Sequence, residues 1–350
     1  MDLLALQEKM QLEVVDNVTD TALLRAVRDN GIAVWLDVQS LGEGPEQWRE
    51  AMNNGIQGVQ TDHPKALIGY LKKNKLRNGS TLLPVWHPAK IPLSYNKLLN
   101  IPYSNASEED VLDVYYPKVY DSAKLILYIY GGSWVSGDKA EFPVRLLEEL
   151  VGKRKYILVA MNYRLAKDGK NKFRSQMEDV TSALQFLTNA AKKFHFNADE
   201  MALMGTSAGG QMALLYAFGY DKKKQVKTVV DYWAPTDFTD SLIRSLNPEA
   251  NKASTNLLGD ENPMVKISFE ASPYHRLTKE TGVPTVIFHG GADPLVNISQ
   301  PKKLYQKLQM LQIPMEITIF PNEQHSISVG IMNELFDKTI TWFEKYFPVK

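Results

Sequence analysis

Gly205-Thr206-Ser207-Ala208-Gly209 sets one serine in a G-x-S-x-G pentapeptide, between the apolar run Met201-Ala202-Leu203-Met204 and an apolar stretch that begins at Gln211. A sharp strand-to-helix turn at such a site holds a nucleophile in a strained backbone position and lifts its Oγ above the sheet. Small residues two before and two after let neighbouring segments pass close by. The helix that follows points its amide dipoles at the reacting centre. The bland alternative is a helix N-cap serine; the flanking strand and helix weigh against it. A serine hydroxyl is a poor nucleophile until a base takes its proton and an acid orients the base.

With this kind of turn the chain order is serine, then Asp or Glu, then histidine. Three histidines follow Ser207: His275, His289 and His325. His325 lies in Phe320-Pro321-Asn322-Glu323-Gln324-His325-Ser326, after the last strand-like run and before the last helix, at the sheet edge where Ser207 also sits. His289 ends a strand before the candidate acid appears. His275 lies in an excursion and reads as structural or substrate-facing. The candidate acid is Asp293, in His289-Gly290-Gly291-Ala292-Asp293-Pro294; its alternative is a turn aspartate before Pro294. Tyr130-Gly131-Gly132-Ser133-Trp134 follows the β-rich run 125–129. Its consecutive glycines let backbone N–H groups turn toward a developing alkoxide, with the N–H of Ala208 as a further donor. An ordinary glycine turn is the alternative, and the order of the three elements weighs against it.

The elements that must position these residues alternate. Strands are predicted at 111–116, 124–130, 156–162, 200–204, 226–232, 283–289 and 315–320, and helices at 142–151, 176–194, 208–218, 299–311 and 327–347. The fold class expected is α/β, an open, mostly parallel sheet flanked by helices, preceded by a short βα N-terminal extension. That extension, 1–75, reads as a helix at 19–30, a strand at 32–38, a helix over 44–54, a strand at 56–60 and a helix at 64–75. Residues 76–110 carry Pro84, Pro88, Pro92 and Pro102 without periodicity and read as a linker; 111–350 is the main domain. An excursion at 236–272, where a lid would insert, mixes Phe238, Leu242, Ile243, Leu257, Leu258, Met264 and Phe269 with polar residues. These either line a pocket or pack the lid on the core.

The chain has 350 residues, 44% hydrophobic and 23% charged, the balance of a globular protein. Lys+Arg and Asp+Glu are 40 each, which argues against a nucleic-acid binder that relies on a global positive field. Without cysteine there are no disulfides, thiolate nucleophiles, zinc–thiolate sites or iron–sulfur clusters. No apolar run approaches the roughly 18–20 residues of a bilayer span. Met1 to Lys9 lacks a basic segment followed by an apolar core, so no signal peptide is expected; cytoplasmic is the default and export is left open. Lys222-Lys223-Lys224 reads as a solvated turn.

Val111-Leu112-Asp113-Val114-Tyr115-Tyr116-Pro117, Tyr130-Gly131-Gly132-Ser133-Trp134, Asn162-Tyr163-Arg164-Leu165, Gly205-Thr206-Ser207-Ala208-Gly209-Gly210, Ala234-Pro235-Thr236-Asp237 and His289-Gly290-Gly291-Ala292-Asp293-Pro294 occur in one order. Over about 111–347 the chain resembles the α/β-hydrolase superfamily, in particular bacterial carboxylesterases of the feruloyl- and acetyl-esterase type. The resemblance implies Ser207 as nucleophile, Asp293 as acid and His325 as base, with Gly132, Ser133 and Ala208 as oxyanion donors. It implies hydrolysis of acetyl or aromatic-acyl esters of carbohydrates through an acyl-enzyme. The family usually has His-Gly-Gly-Gly before the Trp; Tyr130 and Ser133 replace the first and last members here. Ser133 can still donate its N–H, and Tyr130 is expected to alter the acyl pocket or the anchoring of the loop.

The N-terminal stretch resembles the last βα units of a glycerophosphodiester phosphodiesterase barrel, through Gly31-Ile32-Ala33-Val34-Trp35, the helix around Trp48 and Met52, and Gly58-Val59-Gln60-Thr61-Asp62-His63-Pro64. That family's His-Arg-Gly motif and metal carboxylates are missing, and two or three units cannot close an eight-unit barrel. The segment is expected to be a non-catalytic remnant, or the chain a truncated one, and a homo-oligomer through this segment is the assembly it suggests. Asp37, Asp62 and His63 are read as turn and cap residues rather than a metal cluster. No cofactor or metal is expected, and the partner is a small-molecule or carbohydrate ester. The rival readings are a lysophospholipase or peptidase on the same fold, a non-catalytic binding or scaffold protein, and a phosphodiesterase.

Overall fold

The computed structural model describes residues 15–16, 35–37, 44–46, 48–49, 58–60, 64–74, 93–242, 247–260 and 262–349. The chain divides into two compact units, Met1–Ala89 and Lys90–Lys350. In the first, three short parallel strands, β1 (Val15–Asp16), β2 (Trp35–Asp37) and β3 (Gly58–Gln60), lie in that order. Helix α1 (Pro64–Lys73) opens on a proline, whose fixed φ suits a first turn and whose missing N–H has no intrahelical use there. Trp48 and Leu67 bury together, and the Trp48 and Tyr70 rings lie 5.6 Å apart. The helix expected at 19–30 lies outside the described residues, as do Asp62 and His63; of that expected over 44–54, residues 45–46 and 48–49 are described and helical.

The second unit is built on eight strands: β4 (Tyr95–Pro102), β5 (Val111–Pro117), β6 (Ala123–Ile129), β7 (Ile157–Met161), β8 (Phe196–Thr206), β9 (Val226–Tyr232), β10 (Thr285–Gly290) and β11 (Met315–Phe320). Their order is β11-β10-β9-β8-β6-β7-β5-β4. From β7 to β11 all neighbours pair in parallel, while β5 runs antiparallel to both β7 and β4. Every residue of β7 and of β10 is buried. Strands covered on both faces need no polar alternation, which is why they read as plain apolar runs. The expected α/β class holds.

The chain steps from β6 outward to β7 on one side and then crosses to β8 on the other. The strand order therefore reverses at β6, and a crevice opens at the carboxyl ends of β6 and β8, where open α/β sheets bind ligands. The glycine loop after β6 and the serine turn after β8 both fall there. The helices of this unit are α2 (Val144–Leu147), α3 (Ser175–Ala190), α4 (Ala208–Leu215), α5 (Pro248–Leu258), α6 (Lys266–Ala271), α7 (Pro273–Arg276), α8 (Ser299–Met310) and α9 (Val329–Tyr346). Helix α9 is pinned to β9 by hydrogen bonds from Trp342 Nε1 to Thr228 Oγ1 (2.7 Å) and between Tyr232 and Thr339 hydroxyls (2.6 Å).

The reading of 76–110 as an irregular linker is corrected: Tyr95–Pro102 is the edge strand β4, and the compact unit begins at Lys90 rather than Val111. An edge strand pairs on one side only, and β4 buries Tyr95 while most of its other side chains stay exposed. No apolar alternation is therefore written into it. Its register shifts between Leu98 and Ile101, with Asn100 at φ 55°. Asn100 N–H donates to Asp113 Oδ1 (2.7 Å), and Lys139 Nζ donates to Asn100 Oδ1 (2.8 Å) while lying 3.3 Å from Asp113 Oδ1. Both ion-pair partners are buried, at 7% and 5% side-chain exposure. Removing one partner of a buried pair leaves an uncompensated charge, so Lys139→Met is expected to cost about 3–5 kcal/mol in urea unfolding; a cost below about 1 kcal/mol, typical of an exposed pair, would show that the pair is solvated.

Candidate active site

Ser207 sits at φ 49°, ψ −116° between β8 and α4, and its side chain makes no capping hydrogen bond to the helix. The N-cap alternative is thereby set aside. Its N–H instead donates to Tyr232 O (2.7 Å), which ties the turn to the end of β9. The two flanking glycines are required by space. A Cβ on Gly205 would lie 2.4 Å from Gly209 C, and one on Gly209 would lie 2.0 Å from Ile129 O. Strand, helix and the neighbouring β6 pass closer than any side chain allows.

His325 Nε2 lies 2.7 Å from Ser207 Oγ, and His325 Nδ1 lies 2.7 Å from Asp293 Oδ2. With the Nδ1 hydrogen donated to the carboxylate, Nε2 is left as the acceptor facing the serine hydroxyl. The Asp293 side chain is wholly buried, and that of His325 is 18% exposed. Asp293 divides its work between its oxygens: Oδ1 accepts from Leu295 N–H (2.8 Å) and Val296 N–H (2.9 Å), and Oδ2 faces the histidine. It is a turn aspartate and the histidine's partner at once. The loops bearing Asp293 and His325 are joined by Gly291 N–H to Phe320 O (2.7 Å) and Ala292 N–H to Glu323 O (3.0 Å).

The loop after β6 turns through Gly132 at φ 99°, Ser133 at φ 53° and Trp134 at φ 61°. A Cβ on Gly132 would meet Ser136 O at 2.1 Å. Among the described residues, the N–H groups of Gly132, Ser133 and Ala208 donate to no backbone acceptor. Two hollows meet at Ser207. The smaller, about 60 Å³, is walled by Trp134, Pro235, Ala250, Ala253, Leu295 and Val296, with Glu249 and Ser254 at its polar points. The larger, about 500 Å³, is walled by Tyr128, Phe142, Leu146, Trp233, Met332 and Phe336, with Glu141 and Ser326 at its polar points. Both reach Ser133, Ser207 and His325.

The BD-FAE family model matches residues 112–308. The chain belongs to that family. It is 24% identical over 292 residues to the dipeptidyl aminopeptidase BIII of Pseudoxanthomonas mexicana, covering 76% of this chain and 39% of that protein. It is also 24% identical over 255 residues to the probable carboxylic ester hydrolase LipM of Mycobacterium tuberculosis, covering 66% and 56%. The chain thus spans 39% and 56% of the lengths of these two relatives. A truncated carbohydrate esterase from gut microbiota superposes with a TM-score of 0.59 at 19% identity, over 71% of this chain and 98% of that one. The propionate-bound Est2 esterase of Thermogutta terrifontis does so with a TM-score of 0.59 at 19% identity, over 75% and 99%. At these identities the likeness is one of fold, that of the α/β-hydrolases.

In this BD-FAE member Tyr130 anchors the glycine loop. Its ring is 1% exposed and stacks on Tyr163 at 4.5 Å, and Tyr163 OH donates to Gly131 O (3.0 Å). Trp134 Nε1 donates to Gln211 Oε1 (3.0 Å), whose Nε2 donates to Ala271 O (2.8 Å), so one amide links the loop, α4 and the end of α6. His275 is not drawn to Ser207; its Nε2 lies 3.2 Å from Asp237 Oδ1 and 3.0 Å from Thr239 Oγ1. Of the excursion's apolar residues, Phe238, Leu257 and Leu258 are buried, Leu242, Met264 and Phe269 are exposed, and Ile243 lies outside the described residues. The excursion's wall of the small hollow comes instead from Glu249, Ala250, Ala253 and Ser254 of α5. Small residues at that helical spacing were the signal for a close-packed face. Among the described residues no three acidic, histidine or cysteine side chains gather as a metal site, and no helix is long and apolar enough to cross a membrane.

Asp231 lies directly behind the turn: a Cβ on Gly210 would be 2.8 Å from its Oδ1. Oδ1 accepts from Ala234 N–H (3.0 Å), and Oδ2 has no partner among the described residues. Burial pushes this carboxyl from 3.8 up to about 8. The folded state therefore holds the proton more tightly than the unfolded chain. Its contribution to stability is full below 3.8 and is lost as pH rises through about 8. Asp231→Asn, which keeps a neutral group, is expected to gain stability over the parent steadily between those limits, read from urea unfolding at pH 5 and pH 8. A gap that is the same at both pH values would contradict this. Gly209→Ala is expected to lose about 1–3 kcal/mol or more in the same assay, because the added methyl has no space beside Ile129 O.

Proposed function

We propose that this chain is a serine hydrolase of carboxylic esters. The observation that carries the reading is the unbroken line from Asp293 Oδ2 through His325 to Ser207 Oγ, with both contacts at 2.7 Å. Ser207 Oγ attacks the ester carbonyl as His325 Nε2 takes its proton. Asp293 holds the imidazole in the tautomer that leaves Nε2 free and stabilises its cationic form. The oxyanion rests on the N–H groups of Gly132, Ser133 and Ala208. His325 then protonates the departing alcohol, and a water activated by the same Nε2 releases the acid from the acyl-enzyme.

The small hollow suits an acetyl group, and the larger one takes the alcohol. Tyr128, Phe142 and Trp233 line it with apolar ring surface suited to the C–H side of a sugar, and Glu141 and Ser326 supply groups for its hydroxyls. The carbohydrate esterase and the propionate-bound esterase among the structural neighbours support this substrate class. An aromatic acyl group exceeds the small hollow and would have to lie in the larger one.

The test is hydrolysis of p-nitrophenyl esters without added metal. Ser207→Ala is expected to lower turnover roughly 10⁴-fold or more while unfolding at the same temperature. Equal activity of parent and variant would refute the serine mechanism. Acetate should exceed octanoate in kcat/KM by at least about tenfold, since the hollow beside Ala253 cannot take the longer chain. Release of p-nitroaniline from dipeptidyl substrates at comparable rates would favour the peptidase named among the relatives instead.

A further inference from the structure

The mechanism above leaves one buried imidazole unused. His289, in β10, is wholly buried four residues before Asp293. Its Nε2 lies 2.8 Å from Val296 O and 3.4 Å from Asp293 Oδ2, the oxygen that also faces His325. Both neighbours are acceptors only, so Nε2 carries the hydrogen. Nδ1 has no partner among the described residues. Burial lowers the pKa of this imidazole, against the opposing pull of Val296 O and Asp293, so the ring is neutral. An apolar side chain would fill the space without stranding Nδ1. What the imidazole alone supplies is the Nε2 hydrogen, aimed at the last carbonyl of the turn that wraps the acid.

Val296 is held at both of its backbone polar groups. Val296 N–H donates to Asp293 Oδ1 at 2.9 Å, while Val296 O accepts from His289. Without the second bond the 293–296 turn keeps its grip on Oδ1 but loses its anchor to β10. We propose that His289 is a positioning residue: its Nε2–H fixes the Val296 carbonyl and, through the same residue's N–H on Oδ1, the Asp293 carboxylate whose Oδ2 orients His325. The proposal rests on the ester-hydrolase reading. A positioning error of about 1 Å can cost on the order of 10²-fold in rate.

Glutamine places an amide N–H near the Nε2 position, asparagine places one near Nδ1, and leucine places none. The experiment compares His289→Gln, His289→Asn and His289→Leu with the parent and Ser207→Ala, reading kcat and KM for p-nitrophenyl acetate beside the thermal unfolding midpoint. His289→Gln is expected to keep kcat within about threefold, while the Asn and Leu variants lose about 10- to 100-fold in kcat with KM changed less than about twofold. If the Leu variant does not fold, the Gln and Asn pair decides alone. Asn as active as the parent, or Gln as damaged as Asn, overturns the proposal. Ser207→Ala as active as the parent overturns the hydrolase reading itself, whereas an inactive Ser207→Ala beside an unimpaired His289→Asn overturns only the role of His289.

Discussion

The site depends on how closely the helix after Ser207 approaches β6. Gly209 lies where a Cβ would stand 2.0 Å from Ile129 O, and Gly205 lies where one would stand 2.4 Å from Gly209 itself. This contact lets α4 start one residue beyond the end of β8, with Ser207 alone between them. The turn is costly: Ser207 at φ 49°, ψ −116° is in a sparsely populated region, worth about 1–3 kcal/mol of strain. Burial of the whole of α4, from Ala208 to Leu215, offsets it. The strain is thus held by packing that does not take part in the chemistry.

Around that contact the side chains come from the ends of separate strands: Ser207 after β8, Asp293 after β10 and His325 after β11. Three independent loops would each wander, and the structure removes that freedom with backbone bonds. Ser207 N–H reaches Tyr232 O at the end of β9, Gly291 N–H reaches Phe320 O, and Ala292 N–H reaches Glu323 O. Gly290 lets the base loop close in, since a Cβ there would lie 2.0 Å from Gln324 O. On the other side, the Trp134–Gln211–Ala271 chain ties the glycine loop to α4 and the excursion. Pre-organisation of this kind places donors and acceptors before substrate arrives, so little reorganisation is needed during reaction.

What was legible in the sequence follows from locality. The pentapeptide around Ser207 and the loops of Asp293 and His325 each carry their geometry within a few residues, and the parallel strands show as apolar runs because they are buried on both faces. β4 was not legible, because an edge strand that buries Tyr95 and exposes most of its other residues has no pattern to read; its place is fixed by Asp113 and Lys139, distant in sequence. Tyr130 could be seen as a departure, but its role as an anchor needs Tyr163, thirty-three residues on, stacked at 4.5 Å. The walls of the small hollow were not legible because the excursion's large apolar residues carry the visible pattern, whereas its share of that hollow is Glu249, Ala250, Ala253 and Ser254 of α5. His289 was weighed only as a base, since its contact with Val296 O depends on how the turn closes.

These differences separate two kinds of constraint. Ser207, Asp293 and His325 meet at the edge where the strand order reverses; there, glycine positions, turn types and one histidine tautomer must agree, and a single added methyl has no space. The walls of the two hollows carry no such restriction: they come in part from α5, inserted between β9 and β10, and from Met332 and Phe336 of α9, and on the proposed reading they would choose the substrate. Exchanging Ala253 for a larger or smaller group changes the volume beside Ser207 without touching a hydrogen bond of the serine, histidine or acid. The same strands and the same line of three side chains can therefore serve esters of very different acids. On the reading proposed above, the line of three side chains, not the fold, argues for acyl transfer, and the size of the hollow beside Ala250 and Ala253 argues for acetyl.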